Sequence, residues 1–139
     1  SYMNAARLLD FELVVACPEG YDPSPELLEA CANRVTIERD PAVAVKQAHL
    51  LVTDVWASMG QEAEQSERIG PLAPYQLNQA LLDIAAPDVL YMHCLPAHRD
   101  EEITAELMDA PDTVIWQEAE NRLHAQKALM EYLLLGRLG

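Results

Sequence analysis

Asp88-Val89-Leu90-Tyr91-Met92 is a short apolar run, and His93-Cys94-Leu95-Pro96-Ala97-His98-Arg99 follows it without a spacer. The first five residues read as a buried strand and the next seven as a functional loop. Open parallel α/β sheets bind their ligands where strands end at the carboxyl edge, so thiol, imidazole and guanidinium groups stand here where chemistry is expected.

Working outward, the same order recurs. Residues 2–9 place Met3, Ala6 and Leu9 at helical spacing, and Phe11-Glu12-Leu13-Val14-Val15-Ala16-Cys17 then reads as a strand. After the turn PEGYDP (18–23), Ser24 caps a helix with Pro25 at its first position and Leu27, Leu28 and Cys31 along its apolar stripe. Val35-Thr36-Ile37-Glu38 is a strand, Asp40-Pro41 repeats the cap-plus-proline signal ahead of a helix over 42–48, and His49-Leu50-Leu51-Val52-Thr53 is again a strand. The polar stretch 61–74, broken by Pro71 and Pro74, reads as an exposed loop. A helix over 75–86 precedes the opening strand. Asp100 caps a short helix with Ile103 and Leu107 inward, Thr113-Val114-Ile115-Trp116 is a last strand, and a final helix covers 122–138. This alternation, free of repeats, predicts an α/β fold: a doubly wound parallel sheet, Rossmann-like, over a single domain 1–139.

Composition narrows the partners. Nine Lys and Arg face 23 Asp and Glu, and the net charge of −14 repels nucleic acid and anionic membranes, leaving small molecules and proteins. An anionic substrate has to meet the few arginines, which singles out Arg99 and Arg122. Cys17, Cys31 and Cys94 are an odd set without regular spacing, so a reducing, cytoplasmic setting is expected rather than a disulfide framework. No stretch approaches membrane-spanning length, and the opening residues read as the inside of a helix in a piece of a longer chain.

Asp54, Cys94 and Arg122 each lie one to six residues past an expected strand, so one sheet edge gathers a carboxylate, a thiol and a guanidinium. The carboxylate suits an ammonium group and the guanidinium suits a phosphate or carboxylate. Each residue also has a plainer reading. Asp54 and Ser58 are good caps, Met59 good core filler, and Cys17 and Cys31 small core residues. His93 reads as a hydrogen-bonded histidine at a strand end, outside catalysis. Arg99 can pair with Glu101 or Glu102, and His49 and His124 read as structural or exposed.

DVWASMGQE (54–62), HCLPAHRDEE (93–102) and EAENRLHAQKAL (118–129), with the turn PEGYDP, together resemble the second, ornithine-binding domain of the ornithine carbamoyltransferases. The likeness spans nearly the whole chain. It implies transfer of a carbamoyl group from carbamoyl phosphate to the side-chain amine of L-ornithine, with no metal and no organic cofactor. By this resemblance Asp54, Ser58 and Met59 bind ornithine, Cys94 and Leu95 line the carbamoyl group, and Arg122 stabilises charge developing on the carbamoyl oxygen and phosphate. Cys94 and Arg122 are thus the expected catalytic residues, and Cys94, Leu95 and Arg122 the carbamoyl-phosphate contacts. The resemblance also implies a homo-oligomer built on trimers.

Three departures accompany the likeness. The family's Ser-Thr-x-Arg-Thr and His-Pro-x-Gln motifs, carried by its first domain, are absent from this sequence. So are the Gly-Asp-Gly-Asn-Asn-like turn and the central strand expected just before Ser1, which leaves a chain expected to be marginally folded and inactive by itself. Asp100 stands where many members have Gly. Two further readings of the residues compete: a cysteine hydrolase using Cys94 with a histidine and Asp54, and a non-catalytic half serving ligand binding or subunit contact. A zinc site from Cys94 and His98 lacks a second close ligand pair.

Overall fold

A computed structural model of the chain describes residues 1–57 and 69–136. Helix α1 (Tyr2–Leu8) leads into β1 (Leu13–Ala16), and α2 (Pro25–Cys31), β2 (Val35–Glu38), α3 (Pro41–Ala44) and β3 (Leu50–Thr53) follow. The two cap signals act as the sequence predicts. Ser24 accepts the Leu27 N–H and Asp40 the Ala42 N–H, each with a proline next in line where no helical N–H is needed. α3 is shorter than the expected 42–48, because the chain leaves it at Val45 and takes a left-handed conformation at Gln47 (φ 60°).

Beyond β3 come a 3₁₀ turn (Ala73–Tyr75), α4 (Gln79–Leu82), β4 (Leu90–His93), α5 (Ala105–Met108) and α6 (Ile115–Leu135). The single helix expected over 75–86 is interrupted at 76–78. Leu77 is drawn into a backbone bridge, donating to Glu102 O at 2.8 Å and accepting from Thr104 N at 3.0 Å, and Asn78 then caps α4 through the Leu81 N–H. Thr104 is the N-cap residue of α5 and accepts the Leu107 N–H, while the Asp100 carboxylate accepts the N–H of Ala105, the first residue of the helix.

The strand expected at 113–116 is not formed. Thr113 Oγ1 accepts the Ile115 N–H, Val114 O accepts the Glu118 N–H, and Ile115 becomes the buried first residue of the 21-residue α6. An apolar run of four residues has no period of its own that separates strand from buried helix.

β1 pairs with β2 and β3 with β4, both in parallel, so the fold is α/β with parallel strands. The strands form two two-stranded sheets rather than one, and among the described residues no ladder joins β1 to β3. Each sheet has its own core. Met3, Ala6, Cys31 and Val35 fill the first; Leu51, Leu77, Tyr91, Ile103, Leu107 and Ile115 dominate the second. The PEGYDP turn is anchored by Arg39, whose guanidinium donates to Asp22 at 2.6 Å and to the Cys17 and Pro18 carbonyls. No helix among the described residues is long and apolar enough to cross a membrane.

Candidate functional site

The register of the second sheet builds the site. Thr53 stands level with His93, so the next residues of the two chains, Asp54 and Cys94, emerge side by side at the carboxyl edge. The Cys94 thiol donates to Asp54 Oδ1 at 3.1 Å, and the same oxygen accepts the Val55 N–H at 2.7 Å. Two residues forty positions apart therefore meet as the strand-end reading requires.

The loop after β4 is held from inside. His93 and Glu102 have no exposed surface, and His93 Nε2 lies 2.9 Å from Glu102 Oε1. Leu95 N–H donates to His93 Nδ1 at 2.9 Å, and His98 N–H donates to Glu102 Oε1 at 2.6 Å. Gln76 Nε2 donates to the Asp100 and Glu101 carbonyls at 2.9 and 2.8 Å. Asp100 itself is left-handed (φ 66°), a conformation that favours Gly, and its carboxylate accepts the Ala105 N–H at 2.9 Å. Burial pushes the Glu102 carboxyl up, but the His93 hydrogen bond and the His98 N–H outweigh it and hold the group below its ordinary range.

Arg99 is turned to a different task from the one expected. It pairs with Asp109 through Nη2 and Nε, at 2.7 and 3.2 Å, while Glu102 is committed to His93 inside the fold. Arg122 lies on the exposed surface of α6, one turn after Glu118, rather than on a loop past a strand.

Sequence reading passed over two neighbours of the Asp54–Cys94 pair. Glu118, in the first turn of α6, keeps its Oε2 buried without a partner, and its charge acts on Cys94. Tyr2, at the start of α1, is pushed up by burial of its phenol and then by the charges of Glu118, Cys94 and Asp54. Glu118 was visible inside EAENR as a carboxylate four residues before Arg122; nothing in the sequence marked Tyr2.

Burial pushes the Cys94 thiol up to about 11, aided by its bond to Asp54 and by the charges of Asp54 and Glu118. Cys94 as a residue is exposed, so the carboxylates carry the part of the rise that bulk water does not erase. A cysteine nucleophile needs the opposite shift. It also needs a free base, and both ring nitrogens of His93 are occupied. Among the described residues no group of three His, Cys, Asp or Glu side chains is placed to hold a metal.

Residues 1–133 match the family model described as aspartate/ornithine carbamoyltransferase, Asp/Orn binding domain. The chain belongs to that family. It is 58% identical over 134 residues to the ornithine carbamoyltransferase of Methylococcus capsulatus, covering 96% of this chain and 45% of that protein. It is 60% identical over 134 residues to the anabolic ornithine carbamoyltransferase of Pseudomonas aeruginosa, covering 96% and 44%. Among solved structures, the ornithine carbamoyltransferase of Pyrococcus furiosus superposes with a TM-score of 0.84 at 47% identity, over 94% of this chain and 44% of that one. The chain thus spans less than half the length of these relatives. For this Asp/Orn-binding domain, the sheet edge brings Asp54 and Cys94 together within the electrostatic reach of Glu118 and Tyr2, with Arg122 a turn past Glu118 along α6. Ser58, Met59 and the expected loop at 61–68 lie outside the described residues. The carboxylates of Asp54 and Glu118 at this edge favour a positively charged ligand end.

Proposed function

We propose that this chain is the ornithine-binding half of an ornithine carbamoyltransferase, which joins carbamoyl phosphate and L-ornithine to give L-citrulline and phosphate. The observation that carries the reading is the meeting of Asp54 and Cys94, from two family motifs, at the ends of adjacent strands. In the reaction the ornithine side-chain nitrogen forms a bond to the carbamoyl carbon. The bond from that carbon to the phosphate oxygen breaks, the oxygen keeps the electron pair, and the nitrogen gives up its proton.

An alkylammonium titrates near the lysine value of about 10.4, so the amine must reach its neutral form in place. Asp54 anchors the amine end, and Ser58 and Met59 position the α-amino and carboxylate groups. Cys94 and Leu95 line the carbamoyl group. Arg122 meets the charge that develops on the carbamoyl oxygen and phosphate. Carbamoyl phosphate is an activated mixed anhydride, so orientation and electrostatics supply the rate enhancement without metal or organic cofactor.

The reading places the domain, 1–139, in a doubly wound sheet with a further strand between β1 and β3; that no ladder joins these two strands among the described residues supports this. It also places the exposed apolar side of α6 against the family's carbamoyl-phosphate domain, within trimers or multiples of trimers in arginine metabolism. Three free thiols support a reducing, cytoplasmic setting.

The test is a two-dimensional amide NMR titration of the chain with L-ornithine, with putrescine as control and Asp54→Asn as variant. Ornithine is expected to shift the Asp54 and Cys94 resonances, putrescine to leave them, and the variant to abolish the response. Equal responses to both ligands, or none to either, would overturn the reading.

A further inference from the structure

We infer that His93 is a positioning residue: through its Nδ1 it holds Leu95, and so places the Cys94 thiol against Asp54. The inference rests on the reading proposed above for what that thiol serves, but its structural core stands on the loop alone.

Leu95 N–H donates to His93 Nδ1 at 2.9 Å, so that nitrogen presents a lone pair and carries no proton. The ring proton therefore sits on Nε2, 2.9 Å from Glu102 Oε1. Glu102 Oε1 also receives the His98 N–H at 2.6 Å, which joins the strand end to the far side of the loop through one carboxylate oxygen. Both side chains are fully buried, so neither touches a ligand at the sheet edge. The backbone between the anchors needs holding. Leu95 is left-handed (φ 57°), which a branched side chain does not adopt unaided, and its N–H has His93 as partner rather than a strand ladder. Cys94 lies between the strand end and this anchored residue, and its thiol meets Asp54 at 3.1 Å. A tautomer fixed in the interior thus sets the position of a group at the surface.

An asparagine side chain places its oxygen where Nδ1 of histidine sits; a glutamine side chain extends to the place of Nε2. His93→Asn keeps an acceptor for Leu95, and His93→Gln keeps a donor to Glu102 but loses that acceptor. Cys94 is the exposed thiol, Cys17 and Cys31 being buried, so iodoacetamide with site-resolved mass spectrometry reads its environment. Once Cys94 moves off Asp54, each unit by which the thiol falls raises its reactive form about tenfold. His93→Gln is expected to alkylate about tenfold faster than the unmodified chain, and His93→Asn at close to the unmodified rate. Equal rates for glutamine variant and unmodified chain, or equal acceleration by both variants, would overturn the inference.

A second measurement needs no variant: the nitrogen–nitrogen coupling across the Leu95 N–H···Nδ1 bond in the labelled chain. Its detection supports the inference, and a proton found on Nδ1 overturns it. Ornithine separates the two claims. If the unmodified chain ignores ornithine while the alkylation contrast holds, the functional reading fails and the positioning role survives. If ornithine binds, His93→Gln is expected to weaken it about tenfold and His93→Asn to spare it, the loss of one oriented charged contact being of that order.

Discussion

The loop after β4 and the second half of α6 treat their side chains in opposite ways. In residues 93–104, His93, Glu102 and Ile103 are fully buried, and backbone groups are taken up by His93, Gln76, Leu77 and Asp100. Along α6, Leu129, Met130, Leu133, Leu134 and Leu135 are all exposed, Leu134 at 78%. The loop is set by contacts within this chain. The helix end contributes a rigid rod, about 30 Å long over its 21 residues, whose apolar side adds little to this chain's own core. Irregular backbone can therefore be the more precisely placed region, and regular backbone the one with least tertiary support.

The sharpest way to break this comparison is to make the same cut in each region. Leu107→Ala, beside the loop and 3% exposed, is expected to cost about 2–5 kcal/mol, read as a fall in the urea midpoint. Next in size is Glu102→Gln. The folded-state carboxyl is depressed, so its contribution is present above the unfolded value of about 4.3 and is lost as pH falls through the folded value. The variant should be about 1–3 kcal/mol less stable at pH 7, with the gap closing below about pH 4; a gap independent of pH would show that the charge is irrelevant. Smaller again is Asp54→Asn, which removes a neighbouring charge and lowers the Cys94 thiol from about 11, raising its alkylation rate at neutral pH about tenfold for each unit. Leu134→Ala should change stability by no more than about 0.5 kcal/mol. A cost there matching that of Leu107→Ala would erase the distinction between the two regions.

The parts legible in the sequence are those governed by local chemistry. Ser24-Pro25 and Asp40-Pro41 mark helix starts because cap and proline act within one turn, and Val35–Glu38 forms the strand its branched residues predict. The meeting of Asp54 and Cys94 was legible for a similar reason: each follows a short apolar strand, and the level register of β3 and β4 does the rest. What depended on distant partners was not legible. Thr113-Val114-Ile115-Trp116 is as good a strand as a buried helix start until Thr113 bonds Ile115 and the core closes over it. Arg99 had acidic neighbours two and three positions away and chose Asp109, ten positions on. His93 and Glu102 are nine residues apart across a loop without period, and their joint burial leaves no mark on either residue alone.

The thiol that rests on Asp54 has one more consequence. S–H is a weak donor, so of the two groups that donate to Asp54 Oδ1, the Val55 N–H and the Cys94 thiol, the thiol is the loosely held one. On the proposed reading, an ammonium end arriving at Asp54 exchanges the thiol for a charge-assisted hydrogen bond, with the released sulfur still beside it as a soft, polarizable wall. On that reading the thiol is a partner that Asp54 gives up at little cost in free energy.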